Sequence, residues 1–458
     1  MHANGPFRLA LVLPAANKPL LLSNEPAQSK PKGKPLSLGV IFLTIFIDLV
    51  GFSIIFPLFP AILDYYGESG LLASLTDSLD AFSEKTGAGA RFTPVLFGGV
   101  LGSLYAILQF FFAPIWGALS DKYGRRPILL ITTLGVFASY LIWGFAGSFA
   151  LLVIARFIGG CMSGNISVAT AAVADVTTKE TRSKGMGIVG AAFGLGFIIG
   201  PAIGGYLSSF NLLESNPSWE AYGINPFSVV AFVAASVGLL NFIWVQRRFK
   251  ESLSAEARGK AETRNPIARL TDKLPRPIAR TNRVYFVFMF AFAGMEFTLT
   301  FLGADRFGFA PSQNAWMMVF VGLILAFVQG GLVRRLAPKW GERRVATSGL
   351  FLVAIGLAIL AIAPSVGVLY WGLGFMAFGM GLCSPTLTSL VSLFAAEDEQ
   401  GRAIGAFRAI GSLARAVGPI LASLVFWWFG SDWLYFAGAG ITLIAGFLCF
   451  RLPDPSKA

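Results

Sequence analysis

Two carboxylates sit deep in apolar sequence. Asp48 lies about 17 Å from a helix start near residue 37, at about 1.5 Å of rise per residue. Glu296 falls about 12 residues into a later apolar run. Both depths correspond to the middle of a bilayer, where an ionised group is costly and turns toward a cavity or a partner. Groups so placed can accept and release protons. Arg156 and Arg415 lie in apolar runs too, with Arg408 nearer one end. An Asp48–Arg156 pair would keep the carboxylate ionised until a proton competes. Buried pairs contribute little net stability, so switching is the better use of such a pair. Arg415 would balance Glu296, contact an anionic substrate, or lock two domains together. No nucleophile–base constellation or phosphate loop accompanies these residues, which argues against an enzyme. The only histidine is His2, and Cys161, Cys383 and Cys449 lie unpaired in apolar stretches. That leaves no metal framework and no disulfide framework. No cofactor is expected; a proton gradient would supply the energy.

The elements that position these residues are helices crossing a membrane. Of 458 residues, 55% are hydrophobic and 13% charged, against about 25% charge in soluble chains. A spanning helix needs about 20 mostly apolar residues. Twelve stretches qualify: 37–60, 93–117, 127–146, 149–172, 186–209, 226–246, 284–303, 314–336, 344–363, 367–392, 403–428 and 432–451. The net charge of +12 sits in alternate loops. These include Lys122, Arg125 and Arg126, then Lys179, Arg182 and Lys184, and then Arg334, Arg335, Lys339, Arg343 and Arg344. Basic loops mark the cytoplasmic face, so both termini are expected there, in a plasma or inner membrane. The charge therefore reports orientation and not nucleic-acid binding.

The expected organisation is a disordered cytoplasmic tail (1–35), a six-helix bundle (36–247), a hydrophilic linker (248–283), a second bundle (284–452) and a short tail (453–458). Within the outer loop 61–92, Leu71, Leu72, Leu75, Leu79 and Phe82 have near-helical spacing, so a short amphipathic helix is predicted at the outer entrance. Two landmarks recur. Gly124-Arg125-Arg126 returns as Gly341-Glu342-Arg343-Arg344, and Gly200-Pro201 as Gly418-Pro419, at spacings that agree to within one residue. That is a duplicated six-helix unit with a site between its halves.

Residues 117–127 read Gly-Ala-Leu-Ser-Asp-Lys-Tyr-Gly-Arg-Arg-Pro. Gly117, Asp121, Gly124, Arg125 and Arg126 in this run resemble the signature loop of the major facilitator superfamily. The resemblance implies an all-α fold of twelve helices in two pseudo-symmetric bundles. It implies alternating access, with Asp121 bonded to Arg125, Arg182 and the positive end of helix 11 as a gate latch. Gly196-x-x-x-Gly200-Pro201-x-x-Gly204-Gly205 is similar to the antiporter motif of proton-coupled drug exporters. Arg156-x-x-x-Gly160 resembles their fourth-helix motif, and Asp48-x-x-Gly51 through Pro57-x-x-Pro60 the first helix of tetracycline/proton antiporters. The runs Gly164-Asn165-Ile166-Ser167, Ala174-Asp175 and Glu296-Phe297-Thr298-Leu299 resemble animal tetracycline-transporter-like proteins. Two departures stand out. Ser139 replaces an acid before Tyr140, and residues 345–364 contain no acid. The likeness therefore stops short of tetracycline as substrate.

Together these features point to a proton-coupled exporter of amphipathic drugs or small organic molecules, monomeric, with lipid, protons and solute as its partners. Asp48, Glu296 and Arg156 would couple protons. Phe52, Phe56, Tyr140, Phe297, Phe301 and Arg415 would line the cavity. The alternatives are a carrier of organic anions or lipid-like molecules on Arg156 and Arg415, and a non-transporting receptor or scaffold.

Overall fold

The computed structural model describes residues 36–68, 70–85, 92–178, 182–253, 258, 274–395 and 400–453. The expected tail 1–35, most of the linker and the last residues lie outside them. Among the described residues, twelve helices are long and apolar enough to span a membrane. In chain order they are α1 (Leu38–Gly67), α2 (Pro94–Tyr123), α3 (Arg125–Gly144), α4 (Phe149–Val176) and α5 (Arg182–Leu207). Then come α6 (Ser228–Arg248), α7 (Arg276–Phe307), α8 (Pro311–Trp340), α9 (Glu342–Ile362) and α10 (Val366–Phe394). The last two are α11 (Gln400–Phe429) and α12 (Ser431–Phe450).

Local chemistry explains where several begin and break. Ser37 and Ser148 accept from Val40 N and Leu151 N, satisfying free donors at the starts of α1 and α4. The α-helix of α1 stops at Ser53; a 3-10 turn over Phe56–Leu58 follows, and helix resumes at Phe59. Pro57 and Pro60 cannot donate to the preceding turn, which accounts for the break. Helix α5 instead continues through Pro201. Helix α7 begins at Arg276, inside the stretch read as linker. Its first turns carry Arg276, Arg280 and Arg283, so they extend into water beyond what a scan for apolar sequence detects. The outer-loop helix is present as Gly70–Lys85, packed on α1 and α4. Leu72 is buried there, whereas Leu71 and Leu75 are exposed.

The helices form two similar halves. In the first, α1 packs on α5 and α6, α2 on α4, and α3 on α6 and α4. In the second, α7 packs on α11 and α12, and α9 on α10 and α12. Gly356 lets α9 and α10 touch backbone to backbone; a Cβ there would lie 2.5 Å from Met376 N. The duplication read from sequence is visible in the turns. Gly124 has φ +107° and ψ 153°, and Gly341 has φ +79° and ψ 146°. Both conformations need glycine. The arginine that follows behaves alike in each half: Arg126 donates to Gln246 O at 2.8 Å and Arg343 to Leu452 O at 2.8 Å.

The halves meet along two seams, α2 with α11 and α5 with α8. Both are tight at the end away from the basic loops. A Cβ on Gly99 would lie 2.2 Å from Ser423 Oγ, and one on Gly205 would lie 2.2 Å from Ala315 Cβ. Trp427 Nε1 donates to Thr93 Oγ1 at 3.1 Å, and Asn314 reaches Pro57 O. Midway along the second seam, Ile198 still touches Gly322. Further toward the basic loops, Gly190 and Gly194 on α5 and Gly330 and Gly331 on α8 have nothing within 4 Å of a Cβ. The α5–α8 seam thus opens toward the basic end.

Candidate functional site

Where α1 breaks, its side chains form one side of an aromatic roof. Phe52 stacks near Tyr105 (4.9 Å) and Phe56 (5.1 Å). Phe59, just past the break, meets Phe297 of α7 at 5.3 Å. Phe297 continues to Phe301 at 5.5 Å, and Phe301 to Phe92 at 6.1 Å. These rings bridge the halves at the closed end. Of the aromatics expected to line a cavity, Phe52, Phe56 and Phe297 remain partly accessible. Phe301 is fully buried, wedged against Gly98. Tyr140 is buried, with its ring against Gly51 of α1, 3.2 Å from a Cβ there.

Asp48 lies one helical turn from Phe52. Its carboxylate accepts from Asn165 Nδ2 at 2.5 Å. Asn165 opens the second segment of α4, after the turn at Ser163 and Gly164, and its own oxygen accepts from Ile166 N. The expected Asp48–Arg156 ion pair is not formed. Arg156 lies over the Tyr105 ring, 4.5 Å from its centroid, and Tyr105 interacts with both charged groups. The reason is geometric: the turn in α4 places Asn165, not Arg156, at Asp48's level.

In the second half, Glu296 and Arg415 interact electrostatically without a salt bridge. Arg408 and Arg415 are two turns apart on α11 and both are solvent-accessible. Between them Gly411 packs against the Tyr285 ring, and Tyr285 interacts with both arginines. Phe407 stacks on the same ring at 3.8 Å. One stretch of α11 thus presents two cations beside an aromatic platform. Among the described residues, neither these two arginines nor Arg156 joins an ion pair.

At the basic end the signature loop forms a clasp within the first half. Arg125 pairs with Asp121 at 2.5 Å and with Asp175 at 3.0 Å, and donates to Ser120 Oγ at 2.6 Å. Glu251, just after α6, accepts from the backbone N–H groups of Arg125 (2.9 Å) and Arg126 (3.2 Å). It thereby caps α3, where the helix dipole favours an anion. Ser252 Oγ donates to Asp175 at 2.8 Å. Gly117 lies on α2 one turn before Asp121. The side chains of Arg182 and of the first turn of α11 lie outside the described residues, so that part of the expected latch does too.

The antiporter-motif glycines divide between two neighbours. Gly196 O accepts from Ser53 Oγ at 2.9 Å. Cβ atoms on Gly200 and Gly204 would meet α1 at 2.0 Å from Ser53 Oγ and 1.9 Å from Ile54 O. Gly205 instead faces α8 of the other half. The motif therefore seats the break in α1 and closes one seam.

Sequence reasoning missed Asn165, Asp175, Glu251, Tyr105 and Tyr285 as partners. The runs containing Asn165 and Asp175 stood out by resemblance, but nothing in them named Asp48 or Arg125 as their contacts. Glu251 carried no signal at all within a charged linker.

A partly exposed ion pair is worth about 1 kcal/mol, equivalent to about fivefold in rate. Asp121→Asn is accordingly expected to slow transport about fivefold, with substrate affinity within twofold of wild type. Asp175 and Ser120 still hold Arg125 in that variant. Turnover in proteoliposomes beside equilibrium binding checks this; a large loss of binding would contradict it.

The model of the Major Facilitator Superfamily matches residues 41–340 and 333–458. Major facilitator superfamily domain-containing protein 10 of Homo sapiens is 34% identical over 440 residues, 91% of this chain and 93% of that protein. The class B tetracycline resistance protein of Escherichia coli is 28% identical over 332 residues, 72% of this chain and 78% of its own length. The crystal structure of the human organic anion transporter MFSD10 (TETRAN) superposes with a TM-score of 0.71 at 32% identity. It covers 90% of this chain and 98% of that one.

Proposed function

Since the chain belongs to the major facilitator superfamily and is one of its membrane transporters, we propose that it carries small organic anions by alternating access, coupled to protons. The observation that supports the anion is the pair Arg408 and Arg415, accessible beside Tyr285 and, among the described residues, free of carboxylates within ion-pair distance. An arginine fork recognises carboxylates and sulfonates, and the Tyr285–Phe407 stack suits an aromatic or apolar body. The solved relative described as an organic anion transporter agrees with this reading.

Asp48 and Glu296 are the proposed proton carriers. Each is a carboxylate within the span that, among the described residues, has no arginine within salt-bridge distance. The basic end is proposed to face the cytoplasm, so the open α5–α8 seam corresponds to an inward-facing conformer, and transport runs outward. A second reading, export of amphipathic drugs, draws on the partly accessible Phe52, Phe56 and Phe297 and on the likeness to tetracycline resistance proteins.

The test is uptake of a fluorescent aromatic carboxylate into proteoliposomes, beside an uncharged amphipathic dye. Arg415→Gln is expected to raise KM for the carboxylate at least tenfold. A charge-assisted bond is worth about 1.5–3 kcal/mol and each 1.4 kcal/mol is tenfold. Transport of the dye but not the carboxylate by wild type would reverse the choice between the readings.

A further inference from the structure

A small pocket is enclosed by α2, α3 and α4, away from the α11 arginines. Tyr105, Ser139, Tyr140, Trp143 and Arg156 contribute its polar lining. Its volume of ≈ 10 Å³ leaves room for about one particle of water size. Two side-chain nitrogens of these lining residues are orphans. Trp143 Nε1 and Arg156 Nε are both buried without a hydrogen-bond partner. Trp143 is 3% exposed and Arg156 6%. Both groups can only donate. Ser139 spends its hydroxyl proton on Val136 O at 2.7 Å. No carboxylate lines the pocket. Asp48, the nearest acid along this part of the first half, is bonded to Asn165.

The pocket therefore combines one formal positive charge, two unmatched donors and space for a single particle. A buried donor left unmatched costs about 1–3 kcal/mol, and a buried charge without a counter-charge costs more. A water molecule would satisfy the donors and leave the charge. A monatomic anion satisfies both, because it accepts from several directions and carries the opposite sign. We propose that this pocket holds one halide ion, chloride under ordinary conditions, bound between Trp143 and Arg156 and distinct from the transported solute. The ion would neutralise Arg156 in a place no side chain does. It would hold α3 against α4 through a shared ligand.

The proposal does not depend on Arg408 or Arg415, so failure of anion transport would leave it standing. Its test uses the purified full-length protein at constant ionic strength, in sodium chloride, bromide, fluoride or gluconate. Thermal stability is expected to rise saturably with chloride and bromide, and not with gluconate. Trp143→Phe, which keeps the ring and removes the donor, is expected to weaken the chloride midpoint about tenfold. Should that variant not fold, crystals of the wild-type protein grown in bromide decide the matter. An anomalous peak between Trp143 and Arg156 supports the site. Equal stability in chloride and gluconate, or bromide crystals whose pocket shows only water-like density without anomalous signal, overturns it.

Discussion

Gly205→Leu is expected to drive the protein out of the conformation described here. The nearest neighbours of a Cβ at this position are Ala315 Cβ at 2.2 Å, Pro311 O at 3.1 Å and Ser312 Cα at 3.3 Å. All three belong to α8, in the opposite half. A side chain therefore wedges the halves apart at the closed end while leaving the first half's own packing alone. Overpacking of this kind costs about 1–3 kcal/mol, which shifts a two-state equilibrium roughly 5- to 150-fold. Spin labels at Ser209 and Trp316 should report a longer distance at this end, and transport should fall at least about fivefold. Gly204→Ala provides the contrast. Its Cβ would collide with Ile54 O at 1.9 Å within the same half, so it should lower the melting temperature and not redistribute conformers. Unchanged distances in Gly205→Leu would mean that this seam does not govern the equilibrium.

Asp48→Asn is expected to abolish proton-driven transport, by at least 100-fold, while solute exchange without a gradient persists. The carboxylate has Asn165 as its hydrogen-bond partner and, among the described residues, no arginine within salt-bridge distance. An amide preserves the shape and can still accept from Asn165, so insertion and folding should survive. Only the titrating group is lost. Uptake driven by a pH step in inverted vesicles, measured beside counterflow, separates the two activities. Wild-type uptake by the variant would remove Asp48 from the mechanism and leave Glu296 alone.

How far the sequence could be read depended on the kind of information each feature carries. The spans were legible because the bilayer imposes a length and a composition. The turns at Gly124 and Gly341 were legible because a left-handed backbone before two arginines demands glycine. Partners were harder. Helical periodicity gives the face a side chain occupies, but Asp48's choice of Asn165 over Arg156 depends on the turn at Ser163 and Gly164, which lies between them on α4. The start of α7 at Arg276 was hidden because its first turns bury only a narrow face, Ile278, Thr281 and Asn282, between exposed arginines, which a scan for apolar runs does not detect. Glu251 was hidden because its role is fixed by two backbone N–H groups, and a sequence does not display which amides are unsatisfied. The surroundings of Tyr140 were hard to read because an aromatic near a charged residue serves equally well as packing, and its ring does pack against Gly51.

The closed end and the clasp are made of different materials. Phe59, Phe297, Phe301 and Gly98 meet through apolar surface, and among the described residues none of the ion pairs joins the two halves. The basic end relies on Asp121, Arg125, Asp175 and Glu251, all charged. Dissolved salt weakens charged contacts and leaves apolar ones nearly unaffected, whereas cooling weakens apolar burial. Temperature and ionic strength are thus separate handles on the two ends of one molecule. Chilling loosens the phenylalanine plug, and brine loosens the arginine knot.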